Sequence, residues 1–216
     1  MLKIPDFGTL LQNGATSKHI LGDVVTLEQR ELGLLNLPSG QIIACDPFIG
    51  GVEPFEVTVN AGRYPVFIGT AQRDLGDDGD SIVAYALLRF SDEIPVQWQI
   101  ATWPGDDMAL IPEGQIIGYG VDMATGCFMD SDAAQVLEAE FSANGVNYMR
   151  YLDNQLEKNG RIWADVTLNQ TSGLNVILFT SGFGDGVYAS YWGYTADGQI
   201  ACLVTDFGVL EPSVEL

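Results

Sequence analysis

Short apolar segments separated by turn-forming residues dominate the pattern of hydrophobic and polar positions along the chain. Such segments, when rich in β-branched and aromatic side chains and bounded by Gly, Pro, Asn or Asp, are typical of β-strands. We predict strands over residues 32–37, 41–45, 55–59, 64–70, 82–90, 96–103, 116–121, 162–168, 175–180, 187–194 and 199–207. The pattern therefore indicates about ten short strands, joined largely as antiparallel hairpins.

The apolar spacing becomes helical between residues 131 and 160. One set of apolar positions consists of Ala133, Val136, Leu137 and Phe141, and a second consists of Met149, Leu152 and Leu156. Ser131 is a suitable N-cap, and Asp132 places a negative charge in the first turn, where the helix dipole favours it. We predict a two-helix insert over residues 131–160, whereas the weak periodicity of residues 1–30 predicts an irregular segment.

Length and composition indicate a folded chain of mainly β (α+β) class. The 216 residues include 47% hydrophobic and 10% aromatic ones, which is enough for a substantial core. We expect one domain over residues 1–216, built as an antiparallel β-sandwich or a barrel-like sheet. The amino terminus has no signal-peptide pattern, and the three cysteines form no CxxC motif. These features predict a cytoplasmic protein without a disulfide framework.

The charge balance limits the classes of partner. Nine Lys and Arg face 29 Asp and Glu, which gives a formal net charge of −20. Phosphate contacts and anionic membrane surfaces both require clustered cations, so nucleic acid and membrane partners are disfavoured. A basic protein partner or a metal cation is favoured. The alternative is that the charge serves only solubility or tolerance of high salt.

Four aspartates lie at strand ends or beside turn glycines and are candidates for a binding site. These residues are Asp46, Asp122, Asp130 and Asp185. If the strand ends meet at one rim, the four carboxylates would suit a hard cation such as calcium or magnesium. Two close carboxylates could instead divide acid and base roles in hydrolysis. Cys127, Ser181 and Tyr188 lie in the same segments and could support such a site.

Structural roles compete with each of these functional ones. An aspartate in a Gly-Asp-Gly turn often binds its own backbone, and Asp130 could cap the predicted helix. Cys127 could be a nucleophile or a buried small apolar residue. His19 is the sole histidine, which rules out a multi-histidine metal site. The acidic loop between Arg73 and Asp80 is predicted to be a solvated hairpin loop, with calcium binding as the alternative.

Several motifs, in the same order along the chain, resemble a known family. They are "LPSGQIIACDPF", "VQWQIATW", "GYGVDMATGCFMD", "SGFGDGVYASYWGY" and "ACLVTDF". The chain is similar over residues 35–210 to the bacterial family called domain of unknown function 4241. It departs from the family pattern at Met123-Ala124, where the family has Ala-Gly, and such a change affects turn geometry. The resemblance implies that the four aspartates belong to one site, but it implies no activity, substrate or cofactor.

Two functions follow from these observations, and the sequence leaves both open. The first is an acidic binding protein of the inhibitor or immunity type, which neutralises a basic partner. The second is a metal-assisted or dual-carboxylate hydrolase centred on the four aspartates, in which a bound cation would activate water.

Overall fold

The computed structural model describes residues 3–50, 52–73, 80–107, 110, 112 and 116–215. In chain order the elements are β1 (Lys3–Ile4), α1 (Phe7–Leu10), β2 (Thr16–Lys18), β3 (Val24–Leu37), β4 (Ile42–Cys45), β5 (Gly62–Arg73), β6 (Asp80–Arg89), β7 (Gln97–Ile100), β8 (Tyr119–Val121), β9 (Thr125–Asp130), α2 (Ser131–Asn144), α3 (Val146–Glu157), β10 (Trp163–Asn169), β11 (Leu174–Thr180), β12 (Gly186–Tyr188), β13 (Ser190–Tyr194), β14 (Ile200–Asp206) and β15 (Val214–Glu215). The predicted class, mainly β with a helical insert, is confirmed.

The strands form two main sheets, in which all neighbouring strands are antiparallel. The larger sheet has seven strands in the order β2-β3-β5-β6-β14-β13-β7 and curls into a half-barrel. The smaller has four strands in the order β10-β11-β9-β4. Two further pairs, β8 with β12 and β1 with β15, complete the ladders. The small sheet packs against β3 of the large one.

Three strands of the small sheet, β4, β9 and β11, are buried on both faces because they lie between the large sheet and the helices. Alternate side chains of β4 show this arrangement. Ile42 and Ala44 belong to the core shared with the large sheet, whereas Ile43 and Cys45 belong to a second core beneath α2 and α3. The structure is therefore layered as large sheet, small sheet and helical pair, with a hydrophobic core at each junction.

The helical insert is confirmed, with one correction at its start. Asp130, not Ser131, is the N-cap of α2, and its side chain accepts a hydrogen bond from the backbone N–H of Asp132. The geometry is that of a common N-cap, in which the capping side chain satisfies a free donor of the first turn. None of the helices in the described ranges has the length and apolar character needed to cross a membrane.

Two strand predictions, one predicted irregular segment and one missed strand need correction. Residues 55–59 alternate in burial but form no ladder, because Phe55 and Val59 donate only isolated bonds to Ile42 and Gly40. The segment predicted to be irregular over residues 1–30 has regular structure in its described part, since residues 3–30 contain β1, α1, β2 and the start of β3. The strand predicted over 187–194 is divided at Ala189 into β12 and β13. The sequence pattern did not predict β9, which is buried on both faces and shows no alternation.

Most of the acidic loop between Arg73 and Asp80 lies outside the described residues.

Candidate functional site

Asp46 accepts more hydrogen bonds from backbone N–H groups than the other three candidate aspartates. It follows the last residue of β4, where Cys45 lies opposite Cys127 of β9, and its side chain is buried. One carboxylate oxygen, Oδ1, accepts from the backbone N–H of Phe48 at 2.8 Å. The other, Oδ2, accepts from the N–H groups of Asp122 and Met123 at 2.9 and 3.0 Å. Asp46, at the end of β4, therefore holds the turn between β8 and β9 in place through hydrogen bonds to its backbone.

A second loop, after β11, is bonded to the same turn. Oδ1 of Asp185 accepts from the backbone N–H of Ala124 at 3.0 Å, and the N–H of Ser181 donates to the carbonyl of Ala124 at 3.2 Å. Within the loop, the hydroxyls of Ser181 and Tyr188 both donate to the carbonyl of Gly184, at 2.9 and 2.8 Å. We call the two loops, residues 122–124 and 181–187, the strand-end rim.

Several positions of the strand-end rim have a left-handed backbone, and one of them is tightly packed. Gly182 has a φ of +50°, and a Cβ placed there would lie 2.7 Å from Cβ of Phe207. Ala124 also has a positive φ, of 50°. An L-residue with a side chain is strained in this region, which glycine adopts freely. Glycine at position 124 would fit this backbone conformation without the strain that alanine carries.

Asp122 and Asp185 present their carboxylates to solvent, unlike Asp46. Both residues are exposed. Within the described residues, the Asp122 side chain has no hydrogen-bond or ion-pair partner, and Asp185 is bonded through one oxygen to Ala124. The strand-end rim thus has two exposed carboxylates that face outward, and the buried carboxylate of Asp46 binds its backbone from the adjacent strand end.

Asp130 lies at the opposite end of the β4–β9 pair. It is aligned with Ile42, at the start of β4, whereas Asp46 follows the end of that strand. At about 3.4 Å per residue, the two aspartates are roughly 14 Å apart along the strand. Asp130 accepts from the N–H of Asp132 at 2.9 Å and from the N–H and hydroxyl of Ser39 at 3.1 and 2.8 Å.

The structure therefore gathers Asp46, Asp122 and Asp185 around one turn and places Asp130 elsewhere. The carboxylates of Asp46 and Asp130 bind backbone N–H groups rather than facing a cavity. Among the described residues, no group of three or more His, Cys, Asp and Glu side chains is placed to hold a metal ion.

Cys127 faces the helical pair from the middle of the small sheet. It is fully buried, and its Sγ lies 3.5 Å from Sγ of Cys45, while both thiols are free. Burial raises the pKa of the Cys127 thiol well above its ordinary value, and the neighbouring Cys45 raises it further. The thiolate is the nucleophilic form, so this environment suits a packing role better than a catalytic one.

Two titratable residues at this end of the molecule were not predicted as part of the site. Burial raises the pKa of Asp206, at the end of β14, from 3.8 to about 6, although the N–H of Gly208 donates to it at 2.9 Å. His19 is buried, with its ring 5.8 Å from that of Phe183 in the strand-end rim. The only sequence signal for Asp206 was the one that marked Asp46, an aspartate directly after an apolar strand.

Fold and site together define a mainly antiparallel β protein with a helical layer, whose strand-end aspartates bind backbone groups. A family model described as "Protein of unknown function (DUF4241)" matches residues 35–205. The chain therefore belongs to this family, and the resemblance inferred from its motifs is confirmed. No curated protein and no solved structure shows a significant match to the chain.

Proposed function

We propose that the protein is an acidic binding protein of the inhibitor or immunity type, which neutralises a basic protein partner. The observation that carries this proposal is the charge of −20 on 216 residues. Even if each of the nine cations neutralised one acid, twenty acids would remain. Charge on this scale attracts a basic surface over a distance and raises the rate of association.

The placement of the ion pairs supports the proposal. Ion pairs between described residues include those of Lys18 with Glu211, of Arg73 with Asp23, and of Arg161 with both Asp153 and Glu157. All of these pairs are at least partly exposed, and exposed pairs contribute little to stability. The excess acid is thus not explained by internal ion pairing.

The bonding of the candidate site also supports binding over hydrolysis. A hydrolase centred on the four aspartates would need carboxylates that face a substrate or hold a cation. Asp46 and Asp130 instead accept three hydrogen bonds each from protein groups, most of them backbone N–H groups. The carboxylates of the strand-end rim that remain available, on Asp122 and Asp185, lie at the surface.

The test is capture of a partner followed by kinetics. The purified protein is immobilised and exposed to lysate of its native host at low salt, beside an unrelated protein of similar size and charge. We expect it to retain a basic protein that the control does not retain. The association rate of the purified pair should fall by about tenfold or more between low and physiological ionic strength. Recovery of no basic protein beyond the control, or an association rate insensitive to salt, would contradict the proposal.

A further inference from the structure

Exposed apolar side chains are concentrated at the strand-end rim. Five large ones belong to the rim or to the segment beside it: Leu21 (65% exposed), Phe183 (57%), Val187 (55%), Met123 (50%) and Ile20 (47%). Exposed apolar residues scattered singly are normal on protein surfaces, whereas several on neighbouring loops, with an aromatic residue and a methionine among them, are typical of an interface. We call this group the rim patch.

Contacts within the protein hold the members of the rim patch together. The ring of Phe183 packs edge-on against His19, and the residues after His19 are Ile20 and Leu21. The N–H of Leu21 donates to Nδ1 of His19 at 3.1 Å, and the N–H of Ile20 donates to the carbonyl of Val209 at 3.0 Å.

The other side of the patch is equally fixed. Met123 lies on the turn that Asp46 binds, and Val187 is aligned with Gly120 in the β8–β12 pair. These contacts hold the patch in one arrangement before any partner arrives, and such preorganisation lowers the entropic cost of binding.

The ionisable side chains on the two rim loops are negative. Asp122 and Asp185 are exposed there. Of the cations in adjoining segments, Lys18 pairs with Glu211 at 3.7 Å and Arg73 pairs with Asp23, whereas Arg30 lines a cavity together with Gly182 of the rim. An apolar centre with an acidic edge complements a partner surface with apolar side chains surrounded by Lys and Arg.

We propose that the rim patch is the docking surface for a basic protein partner, with Phe183 and Met123 as its apolar centre and Asp122 and Asp185 as its charged edge. This inference rests on the proposed function and assigns it a location. A second copy of this chain is a poor occupant, because two molecules of charge −20 repel each other. An anionic membrane or nucleic acid is repelled for the same reason.

Methionine methyl NMR with defined peptide probes tests this location. The chain has five methionines, of which Met123 is in the rim patch, Met149 is on α3 and Met129 is buried in the core. The first probe is a synthetic peptide in which arginine and leucine alternate, and the second is an oligo-arginine peptide of equal charge. We expect the arginine–leucine peptide to bind more tightly and to shift the methyl signal of Met123 but not those of Met129 and Met149.

Matched variants separate the patch from the overall charge. Val187→Ser is compared with Val96→Ser, because Val96 is 66% exposed and precedes β7, the edge strand opposite β2 in the large sheet. Asp122→Asn is compared with Asp92→Asn, another exposed aspartate close to Val96 in the chain. We expect Val187→Ser and Phe183→Ala to weaken binding of the arginine–leucine peptide by about tenfold, and the Val96 variant by less than about twofold. Asp122→Asn should weaken it more than Asp92→Asn.

The outcomes distinguish the docking surface from the proposed function. Peptide binding that leaves the Met123 signal unchanged, or that Val187→Ser and Val96→Ser weaken equally, would overturn the docking surface and leave the proposed function standing. Absence of binding by both peptides at low salt would also overturn it. The proposed function itself fails only if the capture experiment yields no salt-sensitive basic partner.

Discussion

The two ends of the β4–β9 pair use the same residue type for different purposes. Asp130 and Asp46 are both almost fully buried, and each accepts three hydrogen bonds from protein groups. At the Asp130 end, one donor lies two residues away, at the start of α2, and the other two belong to Ser39, 91 residues away. At the Asp46 end, one donor also lies two residues away, and the other two lie 76 and 77 residues away, on the turn of the strand-end rim. Each aspartate therefore joins a local turn to a distant segment, but the first caps the start of α2, whereas the second holds a turn whose Asp122 and Met123 side chains are exposed.

The largest effect should follow from removal of the Asp46 carboxylate. Asp46→Ala leaves the N–H groups of Phe48, Asp122 and Met123 without their acceptor in a largely buried position. We expect a loss of about 4 kcal/mol in the free energy of unfolding, measured by urea denaturation. Amide exchange at residues 122–124 should also accelerate.

The exposed aspartate of the same turn provides the control. Asp122→Ala removes a carboxylate that has no partner among the described residues, so the free energy of unfolding should change by less than about 0.5 kcal/mol. An Asp46→Ala protein as stable as Asp122→Ala would show that the turn does not depend on Asp46.

Asp130→Ala should lower the free energy of unfolding by less than Asp46→Ala does, by about 2–3 kcal/mol. It removes the N-cap of α2 and the acceptor for Ser39, but water can reach part of the helix start, because Ser39 is exposed. Asp130→Ser should recover part of the loss, since serine also caps helices well. If urea denaturation shows that Asp130→Ala lowers the free energy of unfolding more than Asp46→Ala does, the predicted order of the two ends is wrong.

Asp206 is a third aspartate at a strand end, and it accepts a single backbone hydrogen bond, from the N–H of Gly208. Its carboxylate should make the free energy of unfolding depend on pH. Its pKa is raised to about 6 in the folded protein, so folding favours the protonated form. The stabilisation is complete below about pH 4, the pKa range of an unfolded aspartate, and is lost as the pH rises through about 6. Above that pH, we expect Asp206→Asn to be more stable than the natural protein by about 2 kcal/mol, after allowance for the partial exposure of the side chain.

Urea denaturation between about pH 4 and pH 8 measures the difference between the Asp206→Asn protein and the natural one. The gap between them should widen with pH and close at the acidic end. Parallel stability curves for the two proteins would show that Asp206 keeps an ordinary pKa.

The smallest effect is a stabilisation. Ala124 has a φ of 50°, a conformation that costs alanine about 1 kcal/mol and glycine almost nothing. Ala124→Gly should therefore raise the free energy of unfolding by about 0.5–1 kcal/mol. The control is Ala139→Gly at an exposed position inside α2, which should lower it by about as much. Destabilisation by both changes would indicate that the Ala124 side chain contributes packing that outweighs the strain.

Local signals in the sequence predicted much of the fold. The helical pair was evident from apolar spacing, and strands such as β11 from continuous apolar runs. Alternation over residues 55–59 correctly indicated burial, but burial does not require a ladder partner. The strand β9 was missed because both of its faces are buried, so that neither an alternating pattern nor a clear boundary marks it.

The candidate site was less predictable for a related reason. The aspartates at strand ends were found because each follows an apolar run or lies beside glycine. Which ends meet depends on strand order in the sheet, and the pairing of β4 with β9 joins residues more than eighty positions apart. The expected four-residue cluster required Asp46 and Asp130 to share an end, whereas an antiparallel partner places them at opposite ones. The rim patch combines segments near residues 20, 123 and 185, which no local pattern connects.

The crossing of the chain between β3 and β4 has a consequence for the order of folding. Residues 38–41 connect the longest strand of the large sheet to an edge strand of the small one. β3 pairs with β5 across residues 38–61, whereas β4 pairs with β9 across residues 46–124, so the contact order is higher at this edge of the small sheet. We expect the β3–β5 pair to form before β4 joins β9. Because a single short connection ties the two events together, the two sheets should unfold in one cooperative transition.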